Sequence, residues 1–203
     1  MILSTILLFI FLGVFGATMR SGLWTNTIRL INFFLAAFLA ASMGEYVGGF
    51  LRGFMESYGF FTNFLGIWIV FDLTYLILRE ITTKISRVNV KFHLAINQYA
   101  GYFVALLLAY FFVGFSLYTV HQAPLSKNCI RGEFSPDGAM FFGMSPDKQF
   151  HAIFKYVANG AYASGNEFDP NDRYFSNYAK GRQALQEHVE ATSTPRINSG
   201  QFK

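Results

Sequence analysis

The chain has 203 residues, 53% of them hydrophobic and only 14% charged, with a net charge of +4. That surplus does not form the basic cluster of a nucleic-acid binder. Residues 1–120 hold Arg20, Arg29, Arg52, Arg79, Lys84, Arg87 and Lys91 against Glu45, Glu56, Asp72 and Glu80, while residues 121–203 hold nine cations and eight anions. Most of the excess falls between apolar stretches, where it orients a membrane protein.

Those stretches are Met1–Met19, Thr27–Leu51, Phe61–Leu78 and Leu94–Val120. Each approaches the roughly 20 helical residues that cross a ~30 Å hydrocarbon core. The first has no Lys or Arg before Arg20 and no small-x-small cleavage site, so it reads as a membrane helix rather than a signal peptide. The short link Arg20–Asn26 makes it one arm of a helical hairpin.

The second stretch carries Ala36, Ala40, Gly44 and Gly48 at intervals of four. On a helix these share one face, where small side chains let backbones approach. The spacing predicts a packing seam. Glu45 lies near the outer end and reaches water; Arg29 lies near the inner end and snorkels. The second connection, Arg52–Asn63, is rich in aromatics and is expected to form a short helix in the outer interface.

The third stretch carries Asp72 near its middle. A carboxylate there costs about 2.5–3.5 kcal/mol on insertion scales, so it faces protein, water or a cation. Two roles fit: a structural hydrogen bond to Asn32, Asn97 or a nearby Thr or Tyr, or a gating or proton-relay group. No second intramembrane charge stands at matched depth, which favours the structural role. Arg79, Lys84, Arg87 and Lys91 follow, interleaved with apolar residues, either lying on anionic headgroups or simply fixing topology. The fourth stretch repeats the small-residue device with Asn97, Gly101, Ala105 and Ala109.

Cations concentrate in the first and third connections, which the positive-inside bias assigns to the cytoplasm. Four spans then leave the N-terminus and residues 121–203 outside. There, Cys129 has no partner cysteine, so no disulfide framework and no zinc site of cysteine type exists within the chain. It is a small, partly buried residue or a bridge between copies.

The tail holds no Gly-x-Ser-x-Gly elbow, no His-Glu-x-x-His pair, and histidines (His121, His151, His188) far apart in sequence. Ser145-Pro146-Asp147 reads as a helix start, with a capping hydroxyl, proline at the first position and an acid in the first turn. Phe150, Ile153, Phe154 and Val157 then line one face, and Asn159-Gly160 ends it. Asp169 and Asp172 read as the acids starting a second helix that buries Phe175 and Tyr178 and continues through Leu185 and Val189. Gly132, Pro136 and Gly138 mark turns. Phe134, Phe141 and Phe142 offer surface for the other tail helix, the membrane or an exported partner. Ala191–Lys203 is polar and expected to be disordered.

The membrane part resembles the colicin V production protein family. The likeness rests on the Arg20-Ser21-Gly22 turn, the small-residue-rich helix Ile28–Gly49, the helix Phe64–Arg79 with its basic exit, and Asn97, Gly101 and Ala105 in the fourth helix. It covers roughly residues 1–120. The family's usual form has an acid near Asn97 and glycine near Ala105, and this chain departs from both. The resemblance implies a part in toxin production or export and in envelope homeostasis, with no established enzymatic activity. Some relatives carry an extracytoplasmic serine protease after the fourth helix.

The resulting expectation is an all-α membrane protein: a four-helix transmembrane domain over 1–120 and a small helical extracytoplasmic tail over 121–203. It sits in the inner membrane, needs no cofactor or metal, and catalyses no reaction. Its partners are the lipid bilayer and further copies or a larger membrane complex, not nucleic acid. The rival readings are an oligomeric channel or transporter subunit using Asp72 and an accessory subunit of a larger assembly. A membrane enzyme ranks last.

Overall fold

A computed structural model describes residues 2–55, 59, 61–86, 93–125, 140–160 and 167–193, with side chains to residue 187. Among these residues the chain is all-helical, with no strand. The helices are α1 (Ile2–Thr18), α2 (Leu23–Arg52), α3 (Thr62–Ile85), α4 (Leu94–Val120), α5 (Pro146–Asn159) and α6 (Tyr174–Ser193). The fourth apolar stretch and α4 have the same bounds. α3 runs seven residues past Leu78, carrying the helix into the basic connection. α2 and α4 are long and apolar enough to cross a membrane; α1 is apolar but shorter, at 17 residues.

α2 and α3 form an antiparallel hairpin, closed by glycine. A Cβ added at Gly66 would strike the Gly44 carbonyl oxygen and come within 2.6 Å of the Gly48 nitrogen. One added at Gly44 would meet the Ile67 backbone at 2.9 Å. Backbones this close are possible only because neither helix places a side chain between them. Ala36, Ala40, Gly44 and Gly48 are all buried.

Aromatic rings fill the space between α2, α3 and α4. Phe33 packs edge-on to Phe71 and Phe115, and Phe71 lies 4.7 Å from Phe115. The core continues into the tail: Phe150 of α5 is fully buried 5.5 Å from Phe115. Here α5 comes close because Gly114 has no side chain; a Cβ there would sit 2.7 Å from the Pro146 carbonyl oxygen. As a result Val113–Thr119 of α4 is buried on every side.

Two local expectations need correction. Ser145 does precede α5, with Pro146 at its start and Asp147 in its first turn, but its hydroxyl makes no capping bond. Its backbone is left-handed, and its carbonyl instead accepts the N–H groups of Lys148 and Gln149. In the second connection, where a short interfacial helix is expected, α2 runs to Arg52 and closes in a turn at Gly53–Met55, and residues 56–58 and 60 lie outside the described residues. Phe141 covers neither the other tail helix nor a membrane surface. It is buried against α1 and α4, with Leu3, Leu7, Val113 and Leu117, and 6.0 Å from Phe11. Cys129, the turn residues Gly132, Pro136 and Gly138, Phe134 and most of Ala191–Lys203 lie outside the described residues.

Candidate functional site

The densest chemistry lies where α5 and α6 meet the ends of α2 and α4. His121, the first residue after α4, is fully buried, with Nε2 3.1 Å from Asp147 Oδ2. Asp147 stands in the first turn of α5, where the positive end of the helix dipole favours a carboxylate. Burial pushes the His121 pKa down, and the bond to Asp147 only partly offsets this. A neutral ring must carry its proton on Nε2 to donate to the carboxylate. Arg182 of α6 donates to the backbone carbonyl of His121, tying a third helix to the same point.

A second pair stands one turn along α5. His151 is 7% exposed, and its Nε2 lies 3.0 Å from Asp169 Oδ2. Burial lowers this pKa too, against the pull of Asp169. Asp169 also accepts the backbone N–H groups of Arg173 at 2.8 Å and Tyr174 at 3.3 Å, so it starts α6 while holding α5. Lys155 donates to Asp172 at 2.6 Å at the exposed rim.

Stacked rings join the two pairs. Phe175 contacts His121 at 4.6 Å and His151 at 5.1 Å, and Tyr174 stacks on Tyr118 at 4.8 Å. The Tyr174 hydroxyl accepts from Gln122 at 2.5 Å, and the Tyr178 hydroxyl donates to Glu45 of α2 at 2.7 Å. Burial, then the Glu45 carboxylate, raises the Tyr178 pKa, so the phenol stays protonated. His151, Asp169 and Asp172 offer ligand atoms within 4.8 Å of one another, a set that fits a metal ion. In this arrangement the Lys155 ammonium supplies the positive charge on Asp172, and Asp169 is engaged in capping. The chemistry on display is clamping: two imidazole–carboxylate bonds and an arginine fix the tail helices on the bundle.

The polar residues expected within the spans behave differently from one another. Asn32 is buried and donates to Thr82 Oγ1 at 3.0 Å. Asn97 Oδ1 accepts the Leu23 N–H at 2.9 Å, holding the start of α2 against α4. Asp72, expected to bond one of these, bonds neither. It is exposed on the outer face of α3 beside Ile69, Leu73 and Leu76, and has no hydrogen bond among the described residues. The physical reason is helical phase: the buried face of α3 is set by Gly66, Ile67 and Phe71, and residue 72 turns the opposite way. Gly101 and Ala105 are buried in α4. Arg20, Arg79 and Lys84 are exposed at the end opposite the tail helices; Arg87 and Lys91 lie outside the described residues.

A family model, the colicin V production protein, matches residues 3–134. The chain belongs to the colicin V production protein family. No curated protein and no solved structure matches it. The family segment holds α1–α4 and His121 but ends before Asp147, His151 and Asp169. The clamp therefore joins family residues to a tail beyond the match.

For this family member, sequence reasoning missed two things. Asn26 is fully buried, with Nδ2 within 3.1 Å of the carbonyls of Thr18, Ser21 and Gly101. An amide at the second helix start, flanked by a glycine turn, was the available signal. The His121–Asp147 and His151–Asp169 bonds span 26 and 18 residues. Only the four-residue spacing of Asp147 and His151 on α5 hinted at a shared face.

Proposed function

We propose that this chain is a four-span bacterial inner-membrane protein that supports toxin production or export, or envelope homeostasis, without catalysing a reaction. The family match over α1–α4 carries this reading. In it, residues 1–120 make the membrane part and 121–203 the extracytoplasmic part. α2 and α4 are long and apolar enough to span, and α1 and α3 run antiparallel beside them. Exposed cations at the ends of α1 and α3 suit the cytoplasmic side, and the clamped tail helices then lie outside. Colicin V release from toxin-producing cells tests the role. Cells lacking the protein should release less toxin or become sensitive to envelope stress. Unchanged release and unchanged stress tolerance would contradict it.

The exposure of Asp72 favours a second, compatible reading: a subunit of an oligomeric channel or transporter. A carboxylate at mid-helix with apolar neighbours is too costly to face lipid, so the outer face of α3 needs protein or a water-filled axis. Intact-mass measurement in mild detergent should then show several copies. Asp72→Asn should fold and lose function, because an amide carries neither charge nor exchangeable proton. A monomer with a fully active Asp72→Asn variant would remove this reading.

A further inference from the structure

At the end of the bundle opposite the tail helices, α2 and α3 part to leave a cleft of about 260 Å³. Two arginines line it, Arg29 from α2 and Arg79 from α3, together with Trp24, Tyr75, Thr25 and Ser86. None of its described lining residues is a carboxylate. Arg29 uses Nη1 for Ser21 Oγ at 2.6 Å and Asn26 Oδ1 at 3.4 Å, which leaves the N–H groups of Nη2 and Nε as further donors. The side chain of Arg79 is exposed and has no hydrogen-bond or carboxylate partner among the described residues. Ser86 Oγ accepts the Trp24 indole N–H at 2.8 Å, which leaves its own O–H to donate. Trp24 and Thr25 belong to the first turn of α2, so the positive end of that helix dipole adds to the two arginines.

Two like charges facing one cleft repel each other unless an anion lies between them. Planar guanidinium forks with hydroxyl donors beside them match the tetrahedral oxygens of phosphate. Trp and Tyr at the same level suit the depth of lipid headgroups. We propose that this cleft binds a phosphate group, held between Arg29 and Arg79, with the phosphodiester of an anionic phospholipid as its expected source. The site is separate from the His–Asp clamp and does not depend on the role in toxin export or on Asp72.

The test is thermal melting of the purified chain in a zwitterionic detergent. Phosphatidylglycerol, phosphatidylcholine and inorganic phosphate are titrated in turn. Arg79→Gln is the site variant, since no internal bond of that side chain is lost. Lys84→Gln is the control, removing an equal exposed charge from the same helix outside the cleft. Stabilisation by phosphatidylglycerol but not phosphatidylcholine, with apparent affinity weakened about tenfold in Arg79→Gln and unchanged in Lys84→Gln, supports a lipid-headgroup site. The same pattern with inorganic phosphate supports a site for a soluble phosphate. Equal losses in both variants, or an Arg79→Gln response identical to the native chain, would overturn the proposal.

Discussion

The two ends of the helix bundle hold themselves together by different chemistry. At the end carrying Arg20, Arg79 and Lys84, the ties are bonds of amides, an indole and hydroxyls, with one guanidinium: Asn26 to three carbonyls, Asn97 to the Leu23 N–H, Trp24 to Ser86, Asn32 to Thr82 and Arg29 to Ser21. The exposed cations there take no part in internal adhesion. At the opposite end the ties involve titratable groups: His121–Asp147, His151–Asp169, Lys155–Asp172 and Tyr178–Glu45. Arg20, Arg79 and Lys84 at the first end are exposed, whereas charge at the second is paired within the fold. Adhesion at the second end should therefore depend on pH, and at the first it should not.

The largest effect belongs to the seam on which both ends depend. Gly66→Ala drives a Cβ into the backbone of α2, which cannot yield as a side chain would. It should cost about 3 kcal/mol or more, seen as lost folded yield in mild detergent. Gly49→Ala is the control: nothing lies within 4 Å of its added Cβ, and helix propensity should make it neutral or stabilising by up to about 1 kcal/mol. Equal tolerance at both positions would mean that α2 and α3 do not meet at Gly66.

Removing one tie at each end should cost less and act locally. Asn26→Ala removes the buried amide donor shared by the carbonyls of Thr18, Ser21 and Gly101, for about 1–3 kcal/mol by thermal melting, while Arg20→Gln changes nothing. Asp147→Ala strips the acceptor from the buried His121 ring and should cost a similar about 1–3 kcal/mol. Its signature is protease cutting within α5 while α1–α4 stay protected. Lys155→Ala removes only a rim pair and should leave the melting curve unchanged. An α5 that stays protected in Asp147→Ala would show that its apolar face alone suffices.

The smallest effect is the pH dependence of that second end. His121 and His151 both have pKa values below the ordinary histidine range because burial disfavours the imidazolium. The unfolded chain then binds protons below about pH 6.5 that the folded chain does not. Docking of α5 should be fully stable above pH 6.5 and weaken as pH falls from there toward the folded pKa values. Hydrogen exchange should follow this in α5 and α6, with the start of α2 unaffected. An equal acid response at both ends would erase the contrast.

Much of the bundle is legible in sequence because apolar run length and small-residue spacing are local. The bounds of α4 can be counted directly, and Ala36, Ala40, Gly44 and Gly48 stand four apart in the sequence and are buried in the structure. The direction Asp72 faces is not legible, because that depends on which face of α3 closes on α2, which the packing of Gly66, Ile67 and Phe71 sets. The clamp is hidden for another reason. Each histidine meets its acid through packing of α5 and α6 on the bundle, and no residue spacing encodes a contact across 26 positions. The cleft between Arg29 and Arg79 joins residues 50 apart and became visible only once the hairpin register was known.

The contrast between the two ends implies that they lie on opposite sides of a membrane. The most direct test is cysteine labelling in intact cells with a membrane-impermeant reagent, after replacing Cys129 with serine. Lys84→Cys and Ser176→Cys place single thiols at exposed positions of α3 and α6. Ser176→Cys should be labelled from outside, and Lys84→Cys only after permeabilisation. Labelling of both from outside, or of Lys84→Cys alone, would contradict it.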